Sequence, residues 1–473
     1  MIVIKRFQRM LPWAAITLFL LVRAAGGADW PQLQGDAGHT GYTDEDIGRL
    51  FSEGWRESVP PTSSDVQPIV VAGRVIVGNS AGEVVCHDGA SGAVQWTFTH
   101  AGTVRNAVAS DGERVFVLSS DRNIYALDIA TGAELWRQRV FGPMKTAPVV
   151  DGGVVFAAMN RGGIVALDAA SGGQAWWTSF DVPIFATPAV AGGSVFVLSA
   201  DCVLRALDAG DGTERWARQI PGQAAPRGWV VAAGGMVFAT VRAWSSFPRS
   251  IEHGVDLLDP IATEPWETQR DAILADKQAH PGFYEVWAFD TDGNPLSLPV
   301  PTFGRGIPDI SSPPVVAGAT GPANLIYRWT GGRQNDTGGG ATVIRWAQHL
   351  GACDPSAGDI APLDNDGRLD GTSGDQAFLI SDEGWILTRA GGALFVTSWH
   401  GIYGLDIGTH ALFPVLLASR AQPSDVMDTA SIVLFDEHVA AGHEGGDGRP
   451  GAISDGSMYY LAGNTLVAIR GTP

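Results

Sequence analysis

ALDIATGAELW, Ala126 to Trp136, decides how this chain is read. The phrase returns as ALDAASGGQAW at Ala166 to Trp176 and as ALDAGDGTERW at Ala206 to Trp216. An altered copy, CHDGASGAVQW, stands at Cys86 to Trp96. Trp96, Trp136, Trp176 and Trp216 are spaced by forty residues, as are Asp88, Asp128, Asp168 and Asp208, and Gly92, Gly132, Gly172 and Gly212. A fixed period of this size marks one supersecondary unit repeated along the chain.

Two more apolar runs precede each phrase. The first is PIVVAG at 68, VASDG at 108, PVVDGG at 148 and PAVAGG at 188; the second is RVIVGNS, RVFVLSS, VVFAAMN and SVFVLSA. Each is about five residues long, β-branched or aromatic, and bounded by Gly, Asp, Ser or Asn, which are strand and hairpin signals. One period is therefore four short antiparallel strands, A to D, with the phrase spanning C, its turn and D. That is the size of a β-propeller blade. In the C–D turn the Asp and the Thr or Ser side chains are expected to bond backbone groups, while the Gly accepts positive φ. The Trp on the outer strand is expected to bury its ring against the next blade and to find an acceptor there for its N–H.

Later blades are eroded. RGWVVAAGGMVFATV from Arg227 and VWAFDTDGN at Val286 to Asn294 make a fifth. SSPPVVAG at Ser311, NLIYRW at Asn324 and ATVIRWA at Ala341 make a sixth, WILTRAGGALFVTSWHGIYGLDIG from Trp385 a seventh, and GAISDGSMYYLAGNTLVAIR from Gly451 an eighth that lacks strand D. The missing strand lies at the other end: GRLFSEGWRESV, Gly48 to Val59, puts Trp55 thirteen residues before Pro68, where the strict repeats have twelve. The expectation is one all-β propeller over 29–473, eight-bladed, closed by residues 48–59 pairing with a strand near 465–470. Insertions fall near 242–284, 351–376 and 416–450. The alternative is seven blades with 300–380 as an inserted subdomain.

Lys5, Arg6 and Arg9 precede the apolar run Met10 to Val22, and small residues close it at RAAGGA. This is the pattern of an export signal over 1–28, cleaved after Ala28, and the run is too short to span a bilayer. No later segment is long and apolar enough to cross one. The sequence has 31 cations and 50 acids, net −19; losing Lys5, Arg6, Arg9 and Arg23 leaves 27 against 50, net −23. So acidic a chain is a poor general binder of nucleic acid or anionic lipid. The three cysteines, Cys86, Cys202 and Cys353, include no adjacent pair and no C-x-x-C. Cys86 on a C strand and Cys202 in a B–C turn three blades away are not expected to bond.

The phrase A-x-D-x-x-T/S-G-x-x-x-W resembles the tryptophan-docking motif of the quinoprotein alcohol-dehydrogenase-like propellers. DWPQLQGDAGHTGYTDEDIGRLFSEGW, Asp29 to Trp55, resembles the segment that leads into the first blade in that group. The resemblance covers nearly all of the mature chain and is strongest over 29–220. It implies either an enzyme binding pyrroloquinoline quinone with Ca²⁺, or a non-catalytic propeller of the outer-membrane-assembly type. The family's enzymes set an adjacent Cys-Cys disulfide against the quinone and Glu, Asn and Asp around the calcium. This chain has no such pair, no residues matching the calcium ligands one by one, and no lipid-bearing cysteine near the signal end.

Four features stand outside the repeat. PLDNDGRLDG, Pro362 to Gly371, places Asp364, Asp366 and Asp370 with Gly367 at positions three, five, nine and six of a calcium loop, with Pro362 at position one. Asp359 and Asp375 are the available substitutes for the missing ligand; a solvated acidic turn is the structural alternative. Arg105 and Lys145, forty apart, share a D–A loop position at the channel border and form a candidate anion site, or are simply exposed loop charges. His438, His443, Glu444 and Asp447 lack the spacing of a zinc helix. DTDGN at Asp290 to Asn294 has a calcium-like look but occupies a C–D turn.

The expected function is an exported, non-catalytic binding scaffold, periplasmic or extracellular, monomeric, with a protein or cell-envelope ligand. Calcium is a possible brace and pyrroloquinoline quinone is not expected. The alternative is a quinone-dependent dehydrogenase with a diverged site. An oxidoreductase needs converging acid, base and metal groups at the channel mouth, and none can be assembled from the sequence.

Overall fold

Where the repeat is strict, the backbone follows the four-strand path. Val149–Asp151, Val154–Met159, Gly163–Asp168 and Gln174–Ser179 pair in chain order, antiparallel throughout. The A–B connection is the two-residue turn Gly152-Gly153 with φ of 55° and 79°, the mirror-image turn whose twist matches a hairpin. The C–D turn is pinned by its aspartate: Asp128 Oδ1 accepts from Thr131 N–H at 2.8 Å and from Thr131 Oγ1–H at 2.7 Å, and Gly132 sits at φ 71°.

The computed structural model describes residues 28–63, 65–222, 228–241, 279, 286–300, 314–317, 324–336, 343–354, 359–362, 378–379, 386–398, 401–407, 412–415 and 451–472. The signal region 1–27, the insertion near 242–284 apart from residue 279, the insertion near 416–450, Asp364, Asp366, Asp370, Asp375, His438, His443, Glu444 and Asp447 lie outside the described residues. Of the 351–376 insertion, residues 351–354 and 359–362 are described, and both belong to strands.

Seven sheets of four antiparallel strands form blades: 69–99, 109–139, 149–179, 189–219, 230–300, 386–414, and 452–472 completed by Leu50–Ser58. The all-β propeller is as expected, but eight such blades are not. The remaining described sheet is built on a long hairpin, Asn324–Asp336 against Val343–Asp354, with Val315–Ala317 and Asp359–Pro362 at its sides and Phe378–Leu379 paired to the second long strand. Strands of 13 and 12 residues are longer than any strand of the seven blades, the longest of which is the nine-residue Leu50–Ser58. Seven, the alternative count, is what the regular blades support.

The ring closes with strands from both ends of the chain. Leu50–Ser58 pairs antiparallel with Thr465–Thr472 as the outer strand of the last blade. The core lies between blades: Phe116, Leu118 and Ala126 of one pack with Val150, Val155 and Ala157 of the next. Strand B is therefore buried on both faces, and Phe116, Phe156, Phe196, Phe238 and Phe395 all occupy its centre.

Candidate functional site: the channel and its mouth

Each junction between strict blades is fastened in one way. Trp96 Nε1–H donates to Ile129 O at 3.0 Å, Trp136 to Ala169 O at 3.0 Å and Trp176 to Ala209 O at 2.9 Å. Trp55 on the closing strand donates to Gly89 O at 2.8 Å, and Trp216 reaches Thr291 O at 2.8 Å across the fifth blade. Under each ring lies the turn glycine of the next blade. A Cβ added at Gly92, Gly132, Gly172 or Gly212 would come within 2.5–2.7 Å of Trp55, Trp96, Trp136 or Trp176. The turn carboxylates are acidified by their bonds. Asp88, Asp128 and Asp168 lie below the usual aspartate range because a Ser or Thr hydroxyl and backbone N–H groups donate to them; Asp208 does so chiefly through Arg215. Asp290 is held the same way by Asn294, so DTDGN is a turn whose carboxylate is already occupied.

The axis of the ring is taken by the chain itself. Trp30 exchanges both backbone bonds with Val70, at 2.7 and 2.9 Å, and Ser110 N–H donates to Pro31 O at 2.8 Å. Gln32 clasps Val150, donating to its O at 3.2 Å and accepting from its N–H at 3.0 Å. Val190 donates to Ala37 O, Ala232 to Gly38 O, Val316 to Thr40 O, Arg389 to Gly41 O and Gly391 to Thr43 O, at 2.7–3.0 Å. Val70, Ser110, Val150 and Val190 are again forty apart. Residues 30–43 thus visit the inner strands in turn and supply the partners that those free edges need. Gln34 and His39 are fully buried in this segment. Asp36 caps its own turn, accepting from the N–H groups of Gly38 and Thr40 and the Thr40 hydroxyl. Burial raises the Asp36 carboxyl above its ordinary value despite these bonds, and burial pushes His39 down to about 4.

Within this segment Leu33 makes an apolar contact, packing on Ala107, Ala147 and Trp229. The mouth is rimmed by D–A loops. Asn106 Nδ2–H donates to Lys145 O at 3.3 Å, which ties the Arg105 loop to the Lys145 loop, and both cationic side chains are exposed. Cys86 is a buried thiol pushed up to about 12 by burial, and Cys202 is a buried free thiol in its turn. Among the described residues no three His, Cys, Asp or Glu side chains gather as a metal site. Sequence reasoning missed the axial segment. Its signal was the polar, Gly-rich run QLQGDAGHTG ahead of the first repeat, which has no strand period.

These features define the class: a β-propeller whose blades are fastened by a tryptophan docked on the next blade's turn. Over residues 44–243 its repeats match the PQQ-like β-propeller repeat family. A family model described as outer membrane protein assembly factor BamB matches residues 44–146 and 124–243. Among solved structures it is similar to the quinohemoprotein alcohol dehydrogenase of Comamonas testosteroni, at 15% identity and TM-score 0.52, covering 94% of this chain and 81% of that one. A europium-containing methanol dehydrogenase matches at 13% identity and TM-score 0.50, over 81% and 84%. BamB of Moraxella catarrhalis matches at 15% identity and TM-score 0.42, over 72% and 81%. A sequence comparison with curated proteins finds no match. At these identities the likeness is one of fold.

Proposed function

We propose that this chain is an exported, non-catalytic propeller that presents its channel mouth and surrounding face to a protein or cell-envelope ligand. The observation that carries the reading is the filled axis. Residues 30–43 occupy the centre of the ring, and Leu33 lays an apolar floor against Ala107, Ala147 and Trp229. A quinone-dependent oxidoreductase works through acid, base and metal groups converging on a cofactor; here the acid and base of the axial segment are turned to structural use, Asp36 bonding the N–H groups of its own turn and His39 Nδ1 meeting Val230 O at 3.1 Å. The family model's description, an outer-membrane assembly factor, favours a protein partner in the envelope. No described helix is long and apolar enough to cross a membrane. The dehydrogenase reading draws only on fold likeness, and the adjacent cysteine pair of such enzymes has no counterpart among Cys86, Cys202 and Cys353.

In this reading the chain is monomeric, begins at Asp29 after cleavage, and uses calcium at Asp364, Asp366 and Asp370 as a brace. Arg105 and Lys145 mark the ligand-facing side. The test is direct: the purified mature chain is supplied with pyrroloquinoline quinone and Ca²⁺ and assayed for dye-linked oxidation of alcohols and sugars. No turnover and no quinone absorbance is the expected result. Turnover restored by the quinone overturns the scaffold reading. N-terminal sequencing of the chain recovered from its host's envelope should start at Asp29, and an uncleaved Met1 would refute the export step.

A further inference from the structure

The face that carries the D–A loops and B–C turns is not uniformly acidic, although the chain is. Arg105 and Lys145 lie in the D–A loops leading into the 109–139 and 149–179 blades. Arg122 and Arg161 lie in the B–C turns of those blades, and Arg139 ends the outer strand of the first of them. All five are exposed. Backbone and side-chain contacts join them into one surface. Asn106 bonds Lys145 O, Val140 N–H donates to Arg122 O at 2.9 Å, and Asn160 N–H donates to Pro143 O at 2.9 Å. A Cβ at Gly142 would sit 3.7 Å from that of Arg161. Between Val140 and Gly142 stands Phe141, 85% exposed, the largest exposure among the described large apolar side chains.

Among the described residues none of the five cations is in an ion pair, whereas Arg114 and Arg137 of the 109–139 blade both are. Of the carboxylates at the patch, Asp121 is engaged by the Tyr125 hydroxyl at 2.6 Å and the Asn123 N–H at 2.9 Å, and Asp181 borders the Arg161 turn, where Phe180 N–H donates to Gly162 O. The sign reverses on both flanks, at Glu83 on one side and at Asp181 and Asp201 on the other. Salt screens charges beyond about 8–10 Å, so the net negative charge of the whole does not cancel a local patch of this kind.

We infer that the loop face of the 109–139 and 149–179 blades, with Arg105, Arg122, Arg139, Lys145 and Arg161 around Phe141, is a docking surface for an acidic protein segment that carries an apolar side chain. Charge complementarity selects the acidic segment and fixes its register. Phe141 selects a protein over a bare polyanion, because an exposed aromatic ring gains from association by burial against an apolar group. An anionic membrane is disfavoured by the chain's overall charge, which acts against a whole surface but not against a single segment. The inference rests on the binding-scaffold reading and deepens it by naming the surface and the chemistry of its partner.

The probe is a fluorescein-labelled peptide of Asp and Glu interrupted by Leu and Phe, titrated with the intact mature chain by anisotropy. A Ser-for-Leu/Phe version, a Lys version and phosphatidylglycerol vesicles are run beside it. Expected is binding of the acidic apolar peptide that weakens at least ten-fold when salt is raised from low to about 300 mM, as exposed charge pairs do. Lys145→Glu with Arg161→Glu should weaken it at least ten-fold, and Phe141→Ser several-fold, with melting temperatures unchanged because all three side chains are exposed. Equal binding of the Ser version removes Phe141 from the site. Binding indifferent to the charge reversals, absent binding, or vesicle binding in place of peptide binding overturns the inference. The two readings fail separately: quinone-dependent turnover sinks the scaffold and leaves this face, while peptide failure sinks this face and leaves the scaffold.

Discussion

Trp96 and Gly132 offer the sharpest test of how the blades are held together. The Trp96 side chain is buried, at 8% exposure, on the turn of the next blade, and its indole N–H donates to Ile129 O at 3.0 Å. Trp96→Ala should cost about 3–5 kcal/mol, the range for emptying a buried aromatic site. Gly132 has φ 71°, and a Cβ there would lie 2.5 Å from the Trp96 ring. Gly132→Ala should therefore cost about 1–2 kcal/mol for the left-handed backbone and a further 1–3 kcal/mol, roughly, for overpacking against the ring. With the ring gone, the overpacking component has no cause. The double variant should cost about 4–7 kcal/mol, less than the sum of the singles by about 1–3 kcal/mol. Chemical unfolding followed by intrinsic fluorescence and by circular dichroism measures the cycle, with coincident transitions required before free energies are compared. Additivity within about 0.5 kcal/mol would refute the view that ring and glycine form one contact. A Trp96→Phe variant, which keeps most of the area, should lose chiefly the hydrogen bond, about 1 kcal/mol.

His39 should make the fold acid-sensitive. Its folded-state value is about 4 against 6.5 in the open chain, so the unfolded state binds the extra proton and stability falls as pH drops from about 6.5 towards 4. The full effect is on the order of 3 kcal/mol. Asp36, raised by burial, has the opposite dependence, its contribution being lost as pH rises above the ordinary aspartate value. His39→Asn, which tolerates the residue's φ of 60°, should flatten melting temperature between pH 6.5 and 4; an unchanged slope would exonerate His39. Cys86 and Cys202 should remain thiols and react with iodoacetamide only after denaturation, since both are buried and Cys86 ionises near 12. A Cys86–Cys202 crosslink found by mass spectrometry would contradict the strand register. Calcium should raise the melting temperature of the mature chain by mass action on the folded state, and Asp364→Asn with Asp366→Asn should abolish the shift; a shift surviving both substitutions would place the ion elsewhere.

What the sequence determined by itself is the repeat and the ring closure. A period of forty, with Asp, Gly and Trp in fixed register, can only be four short strands and their turns, because each residue type answers a local need: φ above zero at Gly132, a turn acceptor at Asp128, a large ring on strand D. The strand Leu50–Ser58 was legible too, as a D-strand phrase without its blade. The count was not, because the sheet of the long hairpin keeps apolar runs while its strands run longer than those of any blade. The axial path of residues 30–43 was decided by the tertiary structure alone. Gln34 bonds Leu387 O, 353 positions away, and Gln32 clasps Val150; no local pattern announces such partners. They arise because closing the ring leaves inner strands with unpaired edges facing the axis, and the polar, Gly-rich segment ahead of the first repeat is drawn in to satisfy them. The basic face around Phe141 has the same origin: Arg105, Arg122, Arg139, Lys145 and Arg161 are scattered singly along an acidic sequence, and become neighbours only because blades stack their loops on one side.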